Sequence, residues 1–138
     1  MKCRILLVDD EPSILLTLKT ILEVHGFEVD TASSGKEGAS QLTAHAYQLV
    51  ITDMRMEHDQ AGYDVIRMAK KMEYAPAIAI MTAYASPGSD WKPEGAECVL
   101  IKPMHAGDLL LRIEALLVQH ESQRQQRILQ SKSAKGAA

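Results

Sequence analysis

Five short apolar runs, most of them followed by residues that recur at helical spacing, restrict the folds open to this chain. The runs are "CRILLVD" (3–9), "FEVDTA" (27–32), "YQLVITD" (47–53), "AIAIMT" (77–82) and "CVLI" (98–101). They have the length of strands rather than helices. After the first run, Ile14, Leu15, Leu18, Ile21 and Leu22 step by three and four toward a stop at Gly26. After the second, Ser34 and Glu37 stand at capping-box spacing and open a helix to about Ala46. Val65, Ile66, Ala69 and Met72 mark a third helix, and Leu109, Leu110, Ile113, Leu116 and Leu117 a last one beyond Pro103. The stretch "ASPGSDWKPEGAE" (85–97) breaks the pattern. Pro87, Gly88, Pro93 and Gly95 interrupt it, and one proline inside a helix costs roughly 3 kcal/mol. It predicts an irregular loop over 85–96 with at most one helical turn, and Trp91 covering exposed sheet. Strand–helix alternation of this kind predicts a parallel sheet with helices on both faces.

Composition narrows the function classes. At 138 residues with 46% hydrophobic and 24% charged residues, the chain suits one soluble domain. No apolar run approaches the roughly 18 residues of a membrane span. The first apolar stretch ends in acids rather than a small-residue cleavage site, so the expected location is cytoplasmic, with no membrane partner. Cys3 and Cys98 sit inside apolar runs and read as small buried hydrophobes. All 18 acidic residues precede Ser122, against 11 basic ones, while the end of the chain carries Arg124, Arg127, Lys132 and Lys135. That division suggests a domain over 1–121 and a basic polar tail or helix extension over 122–138. The acidic body argues against nucleic acid contacted by the domain itself.

The strand ends carry the chemistry. Ligands of open parallel sheets bind beyond the carboxyl ends of strands, where the strand order reverses. The first run ends in Asp9 and Asp10, the third in Asp53, the fourth in Thr82 and the fifth in Lys102; the second ends in Thr31 and Ala32. In the order 2-1-3-4-5 the four polar ends become neighbours. Three carboxylates in one pocket repel unless a cation joins them, and a hard oxygen-seeking ion such as Mg²⁺ fits. Lys102 adds a compact positive charge suited to an anion such as phosphate, and Thr82 a hydroxyl. Asp10 or Glu11 would equally suit a helix N-terminus, where negative charge is stabilising.

Taken together, "ILLVDDE", "LVITDMRM", "IMTAY" and "LIKPM" resemble, in order and approximate spacing, the receiver domain of two-component response regulators over residues 3–120. The resemblance implies a flavodoxin-like, doubly wound five-stranded α/β fold, in which the breakers at 85–97 leave the fourth helix short or absent. It implies that Asp53 accepts a phosphoryl group from a histidine kinase or phosphotransfer protein. Mg²⁺ would be held by Asp9, Asp10, Asp53 and the backbone carbonyl of Arg55, with Thr82 and Lys102 on the phosphoryl oxygens. Arg55 and Tyr84 would flank the path of the water that removes the group. The output would be a changed interaction with a downstream protein target, not turnover of a substrate.

The chain departs from the family pattern at three places. Glu57 stands where a proline is usual, with the glycine that follows one residue late as Gly62; Val99 replaces the usual switch aromatic; and the segment between Thr82 and Lys102 is short and rich in breakers. Two other readings stand beside the phosphoacceptor. One is a pseudo-receiver that binds partners without being phosphorylated; the other is a small hydrolase using an aspartyl intermediate, for which a cap domain is not expected in a stretch this short.

Overall fold

The computed structural model describes residues 3–54, 56, 61–82, 95–102 and 105–136. Its elements follow in the order β1 (Arg4–Val8), α1 (Pro12–Val24), β2 (Glu28–Ala32), α2 (Gly35–Ala44), β3 (Leu49–Asp53), α3 (Ala61–Lys70), β4 (Ala77–Thr82), β5 (Cys98–Ile101) and α4 (Ala106–Gly136). All strand pairs are parallel and the sheet order is β2-β1-β3-β4-β5. This is the doubly wound order expected from the sequence. The expected loop at 85–96, with Trp91, falls almost wholly outside the described residues.

Side chains alternate across a strand, and here both faces are covered. Ile5, Leu7, Ile51, Ala79 and Met81 face Leu15, Leu18 and Leu22 of α1 and Leu109, Ile113 and Leu116 of α4. Leu6, Val8, Val50, Ile78 and Ile80 face Leu42 of α2 and Val65, Ile66 and Ala69 of α3. Burial on both sides is why the first, third and fourth runs read as continuous apolar stretches. β2 is an edge strand, and its Glu28, Asp30 and Thr31 stay at least partly exposed. Cys3 and Cys98 are free thiols, packed at the margin of the core rather than fully buried.

Local chemistry sets the helix ends. Pro12 opens α1, where its missing N–H costs nothing. Gly26, at φ 93°, closes it in a left-handed turn, with Phe27 N–H donating to Leu22 O and Gly26 N–H to Glu23 O. Ser34 caps α2 by accepting from Glu37 N–H at 3.0 Å, as its spacing predicts. The returning leg differs from a standard capping box: Glu37 Oε2 accepts from the N–H and hydroxyl of Ser33. α2 ends at Ala44, two residues before the expected stop, because His45 is already extended on the way to β3.

α4 runs unbroken to Gly136, although its apolar periodicity ends near Val118. At 1.5 Å per residue its 31 residues span roughly 46 Å. Among the described residues no helix is long and apolar enough to cross a membrane.

Candidate functional site

The carboxyl ends of β1, β3, β4 and β5 meet at one edge of the sheet. Val8 pairs with Thr52 and Asp53 with Met81, so the residues just past β1 and at the end of β3 are adjacent. Thr82 pairs with Ile101, and Lys102 N–H donates to Thr82 O at 2.7 Å, which carries the ladder up to the lysine. Oxygens of Asp9, Asp10 and Asp53 lie within 4.8 Å of one another. Lys102 Nζ sits 2.6 Å from Asp9 Oδ2 and 3.3 Å from Asp53 Oδ2. The sequence-predicted residues Asp9, Asp10, Asp53 and Lys102 therefore form one cluster, with Thr82 at its border. Arg55 and Tyr84 lie outside the described residues.

Backbone donors aim the carboxylates. Glu11 N–H donates to Asp9 Oδ1 at 3.0 Å, and Met54 N–H to Asp53 Oδ1 at 2.8 Å. Asp9 is completely buried, Asp53 and Lys102 are mostly so, and Asp10 forms the exposed rim. The Asp9–Lys102 contact is close but poorly directed: Oδ2 accepts no hydrogen bond of good geometry among the described residues. Charge rather than direction holds that pair. Glu11 is the N-cap of α1 but makes no side-chain cap, so the acids do not serve the helix end by capping it.

Electrostatics at the cluster follow from crowding. Burial raises the Asp53 carboxyl above its ordinary range; Lys102 pulls it down and Asp9 pushes it up, and the upward effects prevail. Burial alone would lower the Lys102 ammonium, yet it is held above its usual value by the close Asp9 oxygen and the charge of Asp53. One ammonium among three carboxylates leaves an excess of two negative charges. A hard divalent cation matches that excess and the all-oxygen donor set. The under-used Oδ2 of Asp9, buried beside Asp53, adds to the fit.

One contributor escaped the reading of the sequence, and another was read only as a departure from the family pattern. The buried Thr52 hydroxyl donates to the Asp53 carbonyl at 2.9 Å. Gly62, in the first turn of α3, lies against the acceptor's backbone: a Cβ there would come within 2.4 Å of Asp53 O. Its N–H donates to Met54 O at 3.0 Å, so α3 is stitched directly to the end of β3.

Residues 5–114 match the response regulator receiver domain family. The chain belongs to that family. Among curated proteins, the receiver is 28% identical over 116 residues to the cell cycle transcriptional regulator CtrA of Caulobacter vibrioides, a match covering 83% of this chain and 50% of that protein. The chain thus spans about half the length of the curated relatives it matches. Among solved structures it is similar to a CheY-like receiver from Methanospirillum hungatei, with 28% identity, TM-score 0.81, and coverage of 89% of this chain and 99% of that one. It is also similar to the response regulator TrrA of Thermotoga maritima, solved in complex with Mg²⁺ and BeF, at 34% identity and TM-score 0.73, covering 84% and 99% of the two chains. The phosphoacceptor signalling class that the resemblance implies is the class of this family.

Proposed function

We propose that this receiver accepts a phosphoryl group on Asp53 from the phosphohistidine of a histidine kinase or phosphotransfer protein. The observation that carries the reading is Lys102 Nζ bridging Asp53 Oδ2 and Asp9 Oδ2 at the buried edge of the sheet. Oδ1 of Asp53 is held by Met54 N–H, which leaves Oδ2, on the lysine side, to attack phosphorus. The new bond is an acyl phosphate, and the electron pair of the broken P–N bond leaves with the imidazole of the donor. Little covalent help is needed, because such transfers depend mainly on positioning and charge compensation.

Mg²⁺ would be held by Asp9, Asp10, Asp53 and the Arg55 carbonyl, and when bound it offsets charge between Asp53 and the incoming group. Lys102 donates to the phosphoryl oxygens while staying against Asp9. Thr82, at the end of β4 beside Lys102, supplies a hydroxyl donor to the same group. The added charge and acceptor oxygens draw these donors inward and change the surface offered to a downstream protein. A relative that is a transcriptional regulator supports an output in gene control, exerted through a protein contact and not by the acidic domain touching nucleic acid.

Beryllofluoride, a mimic of the phosphoryl group, tests the reading. With Mg²⁺ present, fluorine NMR should show one equivalent of bound beryllofluoride per protein, and none without Mg²⁺. A folded receiver that binds no beryllofluoride in Mg²⁺ would instead be a pseudo-receiver.

The metal ligands allow a separate test. Asp10 is exposed and adds negative charge to an already crowded cluster, so Asp10→Ala should weaken Mg²⁺ binding about tenfold or more. Thermal stability in metal-free buffer should be equal or higher, because carboxylate repulsion is relieved. Calorimetric titration showing unchanged Mg²⁺ affinity would remove Asp10 from the site.

A further inference from the structure

At the opposite edge of the sheet, where β4 and β5 begin, three separate segments meet on one imidazole. His120 of α4 places Nδ1 2.8 and 3.1 Å from the two carboxylate oxygens of Glu97, just before β5. Its Nε2 lies 2.8 Å from the carbonyl oxygen of Ala75, two residues before β4. Both acceptors are anchored. Glu97 N–H donates to Ile78 O at 2.8 Å, and Ala75, in a left-handed turn at φ 46°, donates to Met72 O at 3.0 Å.

Proton counting decides what this arrangement requires. A carbonyl oxygen only accepts, so Nε2 must carry a proton. A neutral imidazole has then no second N–H, and an ionised carboxylate has none to offer Nδ1. Both contacts are hydrogen bonds only when the His120–Glu97 pair holds one proton more than neutral imidazole beside ionised carboxylate.

We infer that His120 and Glu97 form a proton-operated latch that fastens the outgoing part of α4 to the sheet. With the proton bound the latch is closed; when the proton leaves as pH rises, Nδ1 turns a lone pair toward the carboxylate and the contact is lost. Around the pair, Lys70, reaching in from α3, and Arg127, one helical stretch further along α4, line the adjoining cavity of about 130 Å³, and β4 contributes the apolar Ile78.

What the latch controls follows from its place on the helix. Leu116 is the last buried residue of α4 among the described side chains, and from Val118 to Ser131 every side chain but the partly buried His120 is exposed. Helical segments of about 12–15 residues are marginal in water without tertiary support. His120 is therefore the last partly buried side chain along this helix among the described residues, and its proton sets how firmly the following stretch keeps its direction.

Nitrogen NMR of the His120 ring and amide exchange of the full chain, measured from pH 5 to 8, test the latch. Exchange is expressed as protection with intrinsic rates divided out. Two protonated ring nitrogens are expected at the low end. As the ring loses its proton, protection of residues 120–131 should fall roughly ten- to a hundredfold, the size of one hydrogen bond to a charged group, while residues 109–116 stay unchanged. Glu97→Gln supplies an amide N–H that satisfies a neutral Nδ1, so protection should persist across the whole range. His120→Ala should lose it at every pH. A ring found neutral at pH 5, or the same pH profile in Glu97→Gln as in the parent, would overturn the latch.

Discussion

Acetyl phosphate with Mg²⁺ should add one phosphoryl group to this receiver, and Asp53→Asn should reduce the addition to background. Among the described residues no neighbouring carboxylate is placed to take over. Asp9 is completely buried, with one oxygen on the Glu11 N–H and the other against Lys102. Asp10 sits at the exposed rim. The replacement amide keeps the size of the carboxylate and an oxygen for the Met54 N–H, and Lys102 retains Asp9. The fold should therefore survive, with stability in metal-free buffer equal or higher, since one of three crowded negative charges is gone. Intact mass under mildly acidic conditions reads the outcome. A phosphorylated Asn variant would place the acceptor elsewhere.

Much of this architecture could be read from the chain because burial leaves a plain signature. Strands covered on both faces, such as Leu49–Asp53 and Ala77–Thr82, must be apolar at nearly every position, so a polar residue closing the run stands out. That is how Asp9, Asp53 and Lys102 were legible before any geometry was known. The half-covered Glu28–Ala32 was legible for the complementary reason, its alternation. Contacts that depend on three-dimensional neighbours left no such trace. Thr52 reads as one more strand residue, and nothing local says that its hydroxyl turns to the acceptor's own carbonyl. His120 reads as a polar residue past the last apolar repeat, while its partners stand 23 and 45 positions away. The length of α4 was hidden differently. Apolar spacing reports packing against a core, and the residues after Val118 form helix without that packing. They hold helix-favouring Gln, Arg, Leu and Ala and no proline, so backbone preference continues the helix where periodicity falls silent.

Gly62 shows how the late glycine of this chain serves the acceptor. Its backbone lies against the end of β3 so closely that a methyl group would stand 2.4 Å from Asp53 O and 2.7 Å from Met54 Cα. Both neighbours are backbone, so neither can rotate aside; α3 or the acceptor strand must move. Such overpacking typically costs about 1–3 kcal/mol, and here the strain falls on the residue that receives the phosphoryl group. Displacement of a reacting group by about 1 Å can cost on the order of 100-fold in rate. Gly62→Ala should therefore slow phosphorylation from acetyl phosphate by about that factor, beyond any loss of stability seen in urea unfolding. Gly38→Ala is the matched control. A Cβ at Gly38 would meet Val8 Cγ2 at 3.0 Å, a methyl that can give by a few tenths of an ångström, and its nearest neighbours are side-chain methyls of Val8 and Val65 rather than the backbone of the acceptor. Stability should fall there with little change in the phosphorylation rate of the folded fraction. Equal rate effects in the two variants would mean that the contact of Gly62 with the Asp53 backbone supports the fold alone and does not position the acceptor.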